Sequence, residues 1–148
     1  MGSLTLPTAG TVFFDTQIAI YSVEKHSVYA AVIRPLWIAA QAGTLQAAAS
    51  ELIISECLVR PLRNGDKLLE RDFEAFWGSG HIGLEPISNA VLRKSAELRA
   101  KYKSLRTPDA IHAATAILRG AALLVTNDYN FQQVSELKSV FLNDLLKP

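Results

Sequence analysis

The sequence predicts an α/β domain in which a parallel sheet of about five strands is flanked by helices. Short apolar runs such as TVFF (11–14) and AALLVT (121–126) alternate with longer helical stretches, as expected of strands buried on both faces and joined by helices. The chain of 148 residues shows no internal repeat, low-complexity run or linker. It is therefore read as one domain over residues 1–148, long enough to bury roughly two thirds of the surface its unfolded form exposes.

TVFF is β-branched and aromatic, preceded by Gly10 and followed at once by Asp15, and is read as the central strand. Residues 16–24 and 28–42 read as helices, the second ending near Gly43. LQAAA (45–49) is a weak, Ala-rich strand, and Ser50 is placed to cap the helix ELIISECLVR (51–60), which Pro61 is expected to stop. Asn64 and Gly65 make a turn before the helix DKLLERDFEAFW (66–77), which Gly78 and Gly80 end. HIGLEPI (81–87) reads as a third strand, and Ser88 opens a helix to about Tyr102. Thr107 is placed to cap the next helix, with Pro108 at its first position and Gly120 at its end. AALLVT follows as the fourth strand, and VFL (140–142) is the fifth.

With 49% hydrophobic and 20% charged residues the chain is expected to be globular. Fifteen basic residues against fourteen acidic give a net charge of +1, so any attraction for nucleic acid must come from a local patch. A lone Cys cannot form an internal disulfide, which suits a reducing cytoplasm. AAVIRPLWIAA is interrupted by Arg34 and Pro35, so no run approaches the roughly 18 residues of a membrane span. MGSLTL has no positively charged region before an apolar core, so a secretory signal is not expected.

The acids at the strand ends carry the chemistry. Asp15 follows the first strand, Asp128 follows the fourth, and Asp109 opens the helix that precedes that fourth strand. A helix and the parallel strand after it run in opposite directions, so Asp109 and Asp128 fall on one edge of the sheet. Glu56 lies in the second turn of a helix entering from the same edge, with Glu51 in that helix as the alternative acid. Four carboxylates in one crevice repel each other unless a cation sits among them. Oxygen ligands without a His and Cys set point to Mg²⁺ or Mn²⁺, which act on phosphate oxygens. The basic residues Arg93, Lys94, Arg99, Lys101, Lys103 and Arg106 run toward Asp109, opposed only by Glu97; they read either as a guide for a phosphate backbone or as a solvated face. His112, one turn into its helix, is placed to touch substrate or a carboxylate, but its Ala and Ile neighbours favour a structural role, and Cys57 is read as a packing residue.

FFDTQIAIYSVE, SELIISECLVRPL, TPDAIHAATAILRG and LLVTNDYNF resemble, in order and over nearly the whole chain, the successive motifs of PIN-domain ribonucleases, especially the VapC-type toxins of bacterial toxin–antitoxin pairs. The resemblance implies a three-layer fold with strand order 3-2-1-4-5 and a metal site formed by Asp15, Glu56, Asp109 and Asp128. It matches the family's small hydroxyl to Thr126, with Thr16 the second candidate, and Asn127 to the variable position of the TxD motif. It further implies Mg²⁺-dependent cleavage of RNA, homodimerisation and inhibition by a small antitoxin. Two other enzyme classes fit poorly. A haloacid-dehalogenase phosphatase needs a second Asp where this chain has Gln17, and a response-regulator receiver needs paired acids near the first strand. A module that binds RNA or protein on the same fold without cutting stays open as the alternative.

Overall fold

The computed structural model describes residues 2–148. Strand β1 (Thr11–Phe14) leads into α1 (Thr16–Val23) and α2 (Tyr29–Gln41), and β2 (Gln46–Ser50) into α3 (Leu52–Asn64) and α4 (Lys67–Trp77). Then come β3 (Ile82–Glu85), α5 (Asn89–Lys101), α6 (Thr107–Arg119), β4 (Leu123–Thr126), a 3₁₀ turn (Tyr129–Gln133), β5 (Ser139–Phe141) and α7 (Leu142–Leu145). The strands form one sheet in the order β3-β2-β1-β4-β5, and all paired neighbours run parallel.

Successive side chains of a strand point to opposite faces, and β1 uses both. Val12 and Phe14 pack with Ile18, Ile33, Leu36, Ile53 and Phe73 from α1 to α4. Phe13 faces the other way, onto Leu98 of α5 and Ala110 and Ala114 of α6. The result is three layers, with a parallel sheet covered on both sides as its apolar strands require. Ala110, Ala113, Ala114 and Ala116 are fully buried, and these small side chains let α6 lie close over Ala48 of β2. Among the described residues no helix is long and apolar enough to cross a membrane.

Four local expectations are corrected. Helix α3 runs through Pro61 to Asn64; Pro61 is itself buried, and the last turn closes on Gly65 at φ 64°, with the Asp66 amide donating to the Pro61 carbonyl at 2.8 Å. Ser50 ends β2 and does not cap α3: its Oγ accepts from the Leu52 amide at 3.1 Å, while Glu51 holds the cap position without a side-chain bond. Thr107 is the first helical residue of α6, and Arg106 precedes it in extended conformation as the cap residue. Strand β5 also starts one residue early, because Leu142 already begins α7.

Candidate active site

The parallel sheet sends the ends of β1 and β4 to the same edge, side by side. There a crevice of about 520 Å³ is lined by Asp15, Thr16, Gln17, Tyr21, Glu56, Asp109, His112, Asn127, Asp128 and Phe131. The four acids singled out above thus share one crevice. Glu51 is elsewhere, exposed, accepting from the Ile87 amide at 2.9 Å and so tying the start of α3 to the segment before α5.

Each acid is held by the element that carries it. Asp15 caps α1, its Oδ1 accepting from the Ile18 amide at 3.4 Å, while its Oδ2 accepts from the Thr126 hydroxyl. Only 5% of Asp15 is exposed, and that burial pushes its carboxyl up to about 6. Hydrogen bonds from Thr126 and Ile18 and the nearby His112 pull the other way, and the charge of Asp128 adds to the rise. Asp109 lies at the third position of α6, its Oδ2 accepting from the Arg106 amide at 3.4 Å and the Arg106 Nε at 3.3 Å. Asp128 caps the 3₁₀ turn through Oδ1, which accepts from the Asn130 amide at 2.9 Å. Glu56 is half-buried; burial alone would raise its carboxyl, but bonds from His112 and Thr16 prevail and hold it below the usual carboxylate range.

These bonds leave a pattern. Glu56 receives its donors at Oε1, Asp109 at Oδ2 and Asp128 at Oδ1, so one oxygen of each has no protein donor among the described residues. Only Asp15 has both oxygens engaged. As the side chains stand, no three His, Cys, Asp or Glu among the described residues form a group that could hold a metal ion. The chemistry of the set nevertheless fits a hard divalent cation, since the free donors are carboxylate oxygens. Cys57 offers no thiolate, because burial and the charges of Glu56 and Glu24 push its thiol up to about 12.

The supporting residues divide. Thr126 is fully buried beneath the crevice, bracing Asp15 and accepting from the Asp128 amide at 3.0 Å. Thr16 is the threonine that reaches the crevice, donating to Glu56 at 2.6 Å. Asn127 accepts from the Asn143 amide at 2.9 Å and donates to the Tyr21 hydroxyl at 3.4 Å, so it joins the crevice wall to α7. Of the basic run, Arg106 alone touches an acid of the site. Arg93 is turned to Asn89, Arg99 to the Leu105 carbonyl and Lys101 to Glu136, while Lys103 is exposed; none of them lines the crevice. For His112 the structural role favoured by its neighbours gives way to the other reading, contact with a carboxylate: its Nε2 sits 2.7 Å from Glu56 in the crevice. Its spacing three residues after Asp109, which puts both on one helix face, was the available signal.

Among curated proteins, sequence comparison finds no match. Solved structures do resemble the chain. VapBC2 from Rickettsia felis, bound to a DNA fragment from its promoter, superposes with a TM-score of 0.71 at 20% identity, over 88% of this chain and 98% of that one. VapC20 from Mycobacterium tuberculosis, a toxin that cleaves the sarcin–ricin loop, gives 0.69 at 14% identity, over 86% and 98%. VapBC-1 from nontypeable Haemophilus influenzae gives 0.65 at 17% identity, over 90% and 98%. Below 25% identity these likenesses speak for the fold. Membership rests on the PIN-domain family model, which matches residues 12–137, most of the sequence, and by that match this chain belongs to the PIN-domain family.

Proposed function

We propose that this protein is a metal-dependent endoribonuclease acting as the toxin of a toxin–antitoxin pair, with RNA as substrate and a cognate antitoxin and a second copy of itself as partners. The observation that carries the reading is the crevice itself: Asp15, Glu56, Asp109 and Asp128 come from four separate elements to line one opening. Three of them keep a carboxylate oxygen free of donors among the described residues. The resemblance to VapC20, a toxin that cleaves the sarcin–ricin loop, supports the choice of RNA. The VapBC complexes support the antitoxin.

Mg²⁺ or Mn²⁺ held by these acids would lower the pKa of a water and offset charge on the phosphodiester. The chain's own residues do the positioning. Thr126 and the Ile18 amide fix Asp15 at the floor of the crevice. Arg106 and the first turn of α6 fix Asp109, and the turn after β4 fixes Asp128. Labelled RNA incubated with Mg²⁺ tests the reading, with Asp15→Asn alongside. Cleavage by the wild type that the variant loses is expected. Equal cleavage by both would mark a contaminant, and RNA binding without cleavage would favour a binding module.

A further inference from the structure

We propose that His112 is a positioning residue: with Thr16 it grips one oxygen of Glu56 so that the other is presented to the divalent cation of the site. This role presupposes the metal site proposed above and adds a residue that acts through a ligand without being one.

The geometry is compact. The Thr16 hydroxyl donates to Glu56 Oε1 at 2.6 Å, His112 Nε2 lies 2.7 Å from the same oxygen, and the two donors are 3.3 Å apart. Both therefore load Oε1, and Oε2 has no protein donor among the described residues. Glu56 comes from α3, Thr16 from the start of α1 and His112 from α6, so the contact ties three helices at the mouth of the crevice. A glutamate otherwise loses side-chain rotamer freedom when it binds a ligand; two donors on one oxygen remove that freedom in advance.

His112 is only 3% exposed, and its Nδ1 is buried without a hydrogen-bond partner among the described residues. A proton on Nδ1 would be a buried donor with no acceptor, so the ring's proton belongs on Nε2, where Glu56 accepts it. A histidine present only to fill space among alanines would not require its Nε2 on a carboxylate. Because Asp109 lies three residues earlier, one helix supplies both an acid of the site and the donor that orients another.

Mn²⁺ affinity measured by isothermal titration on the wild type, His112→Leu and His112→Gln tests this role, with circular dichroism as the check of folding. Leu fills the space without a donor, whereas Gln keeps an amide N–H near the position of Nε2. His112→Leu is expected to weaken Mn²⁺ binding about 10- to 100-fold, and His112→Gln to recover most of the loss. In the metal-free wild type, a ¹⁵N spectrum of the imidazole ring is expected to show the Nε2–H tautomer, a result that does not depend on any variant folding. Unchanged affinity in folded His112→Leu, or an Nδ1–H tautomer, would overturn the role of His112 while leaving the metal site standing. A wild type that binds no Mn²⁺ would overturn both.

Discussion

Asp15 is placed where ionisation costs the fold. Its carboxyl titrates near 6 in the folded chain against 3.8 when unperturbed, because burial disfavours the charge. The folded state thus holds this proton more tightly than the unfolded one. Below about pH 4 both states are protonated and nothing is lost; the penalty grows as pH rises to about 6 and is constant above, at about 3 kcal/mol as an upper bound. Asp15→Asn, which removes the charge, should therefore unfold at a higher urea concentration than the wild type at pH 7.5, with the gap shrinking toward pH 4.5. A gap that does not change with pH would contradict the buried charge as its cause. The two glutamates of α3 separate at the same scale. Glu56→Gln should lower turnover about 100-fold. Glu51→Ala should keep turnover but lose about 1 kcal/mol of stability in urea titration, since the Ile87 amide then lacks its acceptor. The motif spacing singled out Glu56 but left Glu51 open, because the sequence reads both into one helix; in the structure Glu51 is the cap before α3 and only Glu56 lines the crevice.

Helix α6 joins fold and chemistry in one side chain. Asp109 accepts from the backbone of the residue that precedes the helix, so it stabilises the helix start as well as facing the crevice. Asp109→Asn keeps an acceptor and should leave the thermal midpoint nearly unchanged while abolishing cleavage. Asp109→Ala should lose about 1 kcal/mol of stability in addition. An Asn variant that fails to fold would make Asp109 chiefly a structural cap. Most elements were legible because their signals are local: the buried runs of β1 and β4, the Gly120 stop, and Ser88 before α5. Pro61 was misread because a rule about isolated helices was applied where tertiary burial decides. Ser50 was misread because a strand can run to the residue before its helix and still use a serine to accept from the next turn.

At the scale of the molecule, sheet order makes the site. With β1 between β2 and β4, the residues that follow both β1 and β4 emerge together, and α3 and α6 bring Glu56 and Asp109 to the same edge. The parallel topology was readable from the alternation of strand and helix, so the meeting of distant acids was readable too. The fine wiring was not. Which threonine reaches the crevice depends on side-chain direction across long-range contacts that no local pattern encodes, and for His112 the spacing after Asp109 gave the helix face but not the carboxylate it meets. The meeting of the acids around a cation is tested most directly by anomalous diffraction from crystals soaked in Mn²⁺. A peak between Asp15, Glu56, Asp109 and Asp128 is the predicted result. Crystals from protein that cleaves RNA only with Mn²⁺, yet whose anomalous peaks all lie away from these side chains, would contradict it.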